Sequence, residues 1–199
     1  MKIVVVGGTG TIGSAVAKEL GKRHDIVKVG GKSGDVQVDM TSPDSIRQMY
    51  TTIGKVDAVV STAGQAQFGP LASLTRKEFD VGLNSKFMGQ VHLVLLGMEW
   101  MNDGGSFTLT SGILSHDPIA GGAAVTPINA AVEGFVLGAS IEMPRGLRIN
   151  VVSPGVLEES MDKIGAFFRG HVPVPGWRVA LAYSKSVEGR MTGQVFTAL

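Results

Sequence analysis

The chain has 199 residues, 44% of them apolar and 18% charged, with 28 glycines and no cysteine. That length can bury one full core, and the apolar share excludes a disordered chain. A net charge of +1 excludes a general electrostatic pull on nucleic acid or anionic membrane, and the missing cysteines exclude disulfides, thiolate chemistry and Cys–zinc sites. The first apolar run is too short for a signal peptide, and Val91 to Leu96, broken by His92 and stopped by Gly97 and Glu99, cannot span a bilayer. These features predict a single cytoplasmic domain over residues 1–199, without nucleic-acid or membrane partners.

In chain order, Ile3 to Val6 is a β-branched run that reads as a buried strand. Glycines follow at Gly7, Gly8, Gly10 and Gly13, and an Ala-rich helix runs from about Thr11 to Arg23. This is the context of a dinucleotide-binding turn. Gly8 suits the tight turn, Gly10 lets backbone approach a pyrophosphate, and Gly13 lets helix and strand pack closely. The N–H groups at Thr11 and Ile12, with the positive end of the helix dipole, then hold the phosphates. Ile26 to Val29 and Val36 to Asp39 read as the next two strands. Ser42 and Pro43 open a helix to about Ile53, and Asp57 to Ser61 is the fourth strand. Thr75 and Glu78 have capping-box spacing and start one long helix to about Met101. Ser106 to Thr110, Leu147 to Val152 and Gln194 to Thr197 are the last strands, with a small-residue helix from Ala123 to Met143. Strands alternating with helices predict an α/β fold, a doubly wound parallel sheet of about seven strands with helices on both faces.

Ligands of such sheets sit beyond the carboxyl ends of the strands. That rule selects Gly7 to Ile12, Gly30 to Ser33, Asp39 with Met40, Ser61 to Gly64, Ser111 to Pro118 and Ser153 to Ser160. These stretches are where the chain resembles the classical short-chain dehydrogenase/reductases, a family with a Rossmann-type fold. Gly7, Gly10 and Gly13 resemble its glycine turn, in the spacing of its atypical branches. Asp39 matches the acid that bonds adenine, and Ser61 to Gly64 matches the Asn-Asn-Ala-Gly stretch with both asparagines replaced, leaving Ala63 and Gly64. Asn84 matches the active-site asparagine, Ser111 the catalytic serine, and Pro154 with Gly155 the Pro-Gly run. The resemblance implies Ser111 and Asn84 as catalytic residues. Together with the strand-end rule it gives Gly7, Gly10, Thr11, Ile12, Gly13, Lys32, Ser33, Asp39, Met40, Ala63, Gly64, Pro154 and Gly155 as the expected cofactor contacts.

One departure bears on chemistry. The family's Tyr-x-x-x-Lys pair falls on Val125 and Asn129, and no tyrosine lies between Tyr50 and Tyr183. Carbonyl reduction needs a proton donor, and a phenol serves only when an ammonium lowers its pKa. His116, beside Asp117, is an alternative donor, although a solvated loop pair is the favoured reading. The other histidines make no metal-ligand pattern, so no metal is expected. Glu159 falls where the family often has a threonine touching the cofactor, with Ser160 as the alternative contact. No acid ends the second strand, and Lys32 with Ser33 favours NADP, with NAD as the alternative. The apolar Ala123–Met143 helix predicts a homodimer or homotetramer. Two functions stay open: an oxidoreductase on a small carbonyl or alcohol with nonstandard proton donation, and a non-catalytic nucleotide-binding sensor or scaffold with no small-molecule substrate.

Overall fold

The computed structural model describes residues 1–199. Seven strands form one parallel sheet in the order β3-β2-β1-β4-β5-β6-β7. They are β1 (Lys2–Val6), β2 (Asp25–Gly30), β3 (Val36–Gln37), β4 (Val56–Ser61), β5 (Met101–Thr110), β6 (Arg148–Pro154) and β7 (Val195–Ala198). The order reverses between β1 and β4. Neighbouring strands there diverge in connection, which opens a crevice above Val6 and Ser61.

The period of two along β1 divides its side chains between two cores. Val4 and Val6 join a layer with Ile46, Met49 and Tyr50 of α2 (Pro43–Ile53), Leu93 and Val94 of α4 (Gly89–Gly97), and Val132 and Val136 of α5 (Thr126–Ser140). Ile3 and Val5 face the other way. They pack with Val16 and Leu20 of α1 (Thr11–Leu20) and with Val179, Ala180, Tyr183 and Val187 of α7 (Gly176–Glu188). The start signals act as their chemistry dictates. Ser42 Oγ accepts the Ser45 N–H at 3.2 Å. Glu78 and Thr75 form a full capping box at the start of α3 (Arg76–Gly82).

Three elements differ from the sequence reading. The single helix expected from Thr75 to Met101 is α3, then a π-helical segment over Leu83–Met88, then α4, and Met101 already belongs to β5. The short α6 (Met161–Ile164) lies in the segment after β6. Helix α7 had no sequence signal strong enough to read, because its buried face includes Ser184 and Ser186. Those serines are paired inside the protein. Ser186 Oγ lies 2.7 Å from Thr108 Oγ1 and accepts from Asn150 Nδ2 at 3.2 Å, while Tyr183 Oη lies 2.6 Å from Thr110 Oγ1. Replacing Ser186 with Ala strands buried polar groups on β5 and β6, so Ser186→Ala should cost about 1–3 kcal/mol in a urea unfolding experiment. Wild-type stability in that variant would show that the pairing contributes nothing.

Candidate active site and cofactor cleft

The glycine turn is set by close backbone approach. Gly7 holds φ +81°, and a Cβ on Gly13 would lie 2.0 Å from the Gly7 carbonyl oxygen. The left-handed residue is Gly7, and Gly8 lies in the tight turn as expected: the Gly10 N–H donates to the Gly7 carbonyl at 2.9 Å across it, and a Cβ on Gly8 would lie 2.7 Å from the Val5 carbonyl oxygen. Gly10 caps α1 with no side chain over the helix end. The first-turn N–H groups of Thr11, Ile12 and Gly13 then lack intrahelical acceptors. A cradle that any Cβ would fill, below an uncapped helix N-terminus, fits a dinucleotide pyrophosphate.

Beside it lies a cavity of about 450 Å³ lined by Gly7, Gly30, Lys32, Asp39, Met40 and Ala63, among others. Asp39 Oδ1 accepts the Thr41 N–H at 2.9 Å and the Thr41 hydroxyl at 2.7 Å, and these bonds hold its carboxyl below the usual range. Ser33 is placed differently from expectation. Its hydroxyl donates to Thr9 Oγ1 at 3.0 Å and it is not part of the lining. The loop folds back over Gly30, whose Cβ position is 2.3 Å from the Ser33 carbonyl, and this turns Ser33 toward Thr9.

A second cavity, of about 530 Å³, shares Gly64 and Gln65 with the first. Its walls include Phe68, Ile113, Leu114, Val156 and Phe168, and its polar end holds Lys86, Ser111, Asn129, Pro154, Gly155 and Ser160. Val125 and Asn129 face the same space from the start of α5. Asn129 Nδ2 donates to the Gly112 carbonyl at 3.3 Å, and its buried Oδ1 has no partner.

Glu133, one turn after Asn129, organises this end. Its Oε1 accepts the Ser111 and Ser115 hydroxyls, both at 2.7 Å, and its Oε2 lies 2.9 Å from His116 Nε2. His116 is thus corrected in two respects. Its partner is Glu133, while Asp117 lies 3.5 Å from His171, and its side chain is 65% exposed outside the cavity lining. Asn84 is corrected as well. It is exposed and lines a different, shallow depression with Lys77 and Asp80. Residues two apart on a helix point to opposed sides, so only one of Asn84 and Lys86 can face the cleft. It is Lys86 that turns inward, with Nζ donating to the Ser111 carbonyl at 2.7 Å. Gly64, at φ +130°, makes room, since a Cβ there would sit 2.7 Å from the Lys86 Cα. Burial pushes the Lys86 pKa down to about 8, against the opposing pull of Glu133. Glu159 leaves the cleft: its carboxylate accepts the Gly176 N–H at 2.9 Å, at the N-terminus of α7. Glu133 and Lys86 were missed in the sequence, although Glu133 lies four and eight residues after Asn129 and Val125, on their helix face.

Residues 8–170 match the family model described as enoyl-(acyl carrier protein) reductase. The chain belongs to the short-chain dehydrogenase/reductase family. This short-chain dehydrogenase/reductase is similar to the protein lin1944 of Listeria innocua, with 52% identity, full coverage of both chains and a TM-score of 0.99. It is similar also to a small-chain dehydrogenase solved in complex with NADPH, at 29% identity, with 99% of this chain and 95% of that one covered and a TM-score of 0.87. Among curated proteins, hydroxynaphthalene reductase arp2 of Aspergillus fumigatus is 25% identical over 92% of this chain and 72% of its own length. No helix is long and apolar enough to cross a membrane.

Gly10 tests the cradle. A Cβ there would lie 3.3 Å from the Gly7 carbonyl oxygen, a tight contact that a backbone shift of a few tenths of an ångström relieves, and the methyl stands where a pyrophosphate must approach. Gly10→Ala should keep its circular dichroism and lose about tenfold or more in NADPH affinity, about 1.4 kcal/mol. Unchanged affinity would place the nucleotide elsewhere.

Proposed function

We propose that the protein is an NADP(H)-dependent oxidoreductase acting on a small carbonyl compound, or the corresponding alcohol, that carries an apolar group. The observation that carries this reading is the continuity of the two cavities at Gly64 and Gln65. Together they form one cleft from Asp39, past Gly7 of the glycine turn, to Ser111 and Lys86. Adenine and ribose fit beside Asp39 and Met40, the pyrophosphate over Gly10 to Gly13, and the nicotinamide end near Pro154, Gly155 and Ser160. The Phe68, Leu114 and Phe168 walls favour an apolar substituent. Lys32, an exposed lysine of the adenosine-side lining, favours a ribose 2′-phosphate, as does the NADPH carried by the structurally similar dehydrogenase. Titration should give tighter binding of NADPH than of NADH, and Lys32→Ala should narrow that preference roughly fivefold, the size of one exposed ion pair. Equal binding of both cofactors, unaltered by Lys32→Ala, would refute the NADP assignment.

A panel of aliphatic and aromatic ketones and aldehydes, followed by loss of NADPH absorbance, tests the activity. Turnover of apolar members supports the reading. A second reading, a non-catalytic NADP(H) sensor or scaffold, is favoured by Val125 and Asn129 in place of the family's Tyr and Lys, and it predicts binding with no turnover on any member.

We infer further that the protein is a homo-oligomer. Leu95 on α4, with Leu137 on α5 and Ile141 at its C-cap, are 52%, 66% and 85% exposed, and Gly134 and Gly138 leave open space between them on the same helix surface. A surface this apolar favours a partner copy. Sedimentation should give a dimer or tetramer at micromolar concentration, and Ile141→Asp should shift it toward monomer. A clean wild-type monomer would refute the assembly.

A further inference from the structure

We propose that Lys86 is the proton donor of the reaction, taking the place of the family's tyrosine; this rests on the oxidoreductase reading above. Elimination among the residues of the cavity leaves Lys86 as the donor. Of the twenty residues that line it, Lys86 is the one with an ionisable side chain. Ser111 cannot serve while its hydroxyl proton is directed at Glu133, 2.7 Å away. Asn129 has no proton to release, and its amide already donates to Gly112. Val125 has none at all. His116 and Glu133 stand behind this wall, paired with one another and absent from the lining.

Lys86, by contrast, makes one hydrogen bond, to the Ser111 carbonyl, so two of its three N–H groups have no protein acceptor. That contact holds the ammonium beside the catalytic-serine position without consuming its capacity to donate. The neighbouring elements present Glu133 and Asn129 from α5, Ser111 from the end of β5 and Gln65 from the loop after β4. Glu133 is the charged group among them, and His116 is its partner. A donor works best when its pKa lies near the working pH. An exposed lysine fails that condition; burial brings Lys86 to about 8, while the Glu133 carboxylate keeps it from falling further.

A reduced nicotinamide held near Pro154 and Gly155 would supply the hydride that the carbonyl carbon takes, becoming oxidised in turn. The carbonyl π pair moves onto oxygen, which takes a proton from Lys86 Nζ. The N–H bonding pair stays on nitrogen, leaving a neutral amine that solvent reprotonates. In the oxidative direction the neutral amine accepts the alcohol proton.

Two measurements test the assignment. The first needs no cofactor: the pH dependence of Lys86 acylation by acetic anhydride, read by mass spectrometry on the apoprotein. A midpoint near 8 is expected for Lys86, below the ordinary range of a solvated lysine side chain. Glu133→Gln should lower the Lys86 midpoint, because it removes the charge that favours the ammonium. A Lys86 midpoint in the ordinary lysine range overturns the proposal whatever the turnover. The second is the pH profile of carbonyl reduction in wild type, Lys86→Met and Lys86→Arg. Wild-type reduction should fall above about pH 8 as the ammonium is lost. Both variants should bind NADPH, lose about 10²–10⁴-fold in turnover and lack that limb, since arginine keeps the charge but does not release its proton. Wild-type turnover with an unaltered profile in Lys86→Met overturns the Lys86 assignment alone. NADPH binding with no turnover by the wild type on any carbonyl overturns the oxidoreductase reading, and the role of Lys86 with it.

Discussion

The carboxylate of Glu133 is enclosed midway along α5, where it accepts from Ser111 and Ser115 and pairs with His116. A carboxylate in that position is costly unless every oxygen is satisfied. The three contacts satisfy it, and they fix much else. They tie the loop after β5 to α5, they decide where the Ser111 proton points, and they leave one negative charge behind the wall of the cavity. Lys86 sits on the other side of that wall. Its ammonium is stabilised by Glu133 through space and anchored on the Ser111 carbonyl. Remove the carboxylate and the serine is free to rotate, the histidine loses its partner, and the lysine loses a charge that favours its ammonium form.

The cofactor half of the cleft depends on a different constraint, the absence of side chains. Gly7 and Gly13 touch so closely that a single methyl group at Gly13 would overlap the Gly7 carbonyl. This contact draws α1 against the end of β1 and aims its uncapped N-terminus across the crevice. Gly64 performs the corresponding service between the two halves, admitting the backbone of the π-helical segment that carries Lys86. Glycines therefore set both the phosphate end and the proton-donating end of the same cleft.

How far the sequence revealed this follows from the kind of signal each part carries. The strands, the glycine turn and the placement of Asp39 and Ser111 at the ends of strands lining the cleft were legible, because each rests on local pattern. Helix α7 was not, because its serines read as solvent-facing and are in fact paired with Thr108, Glu188 and Asn150. Lys86 and Glu133 were illegible for a similar reason. A charged residue within a helix reads as a surface group, and nothing local says that a π-helical segment rotates one of them inward while Asn84 goes out. His116 was the converse case, a plausible donor by residue type and loop position that the fold leaves outside the cavity, on the far side of Glu133.

The most direct measurement of the central claim is a crystal structure with NADP⁺ and a carbonyl-bearing ligand bound together. The account predicts the ligand oxygen within about 2.7–3.2 Å of Lys86 Nζ, with the Ser111 hydroxyl still on Glu133. A ligand oxygen held by the Ser111 hydroxyl, with Lys86 making only its bond to the Ser111 carbonyl, would contradict it.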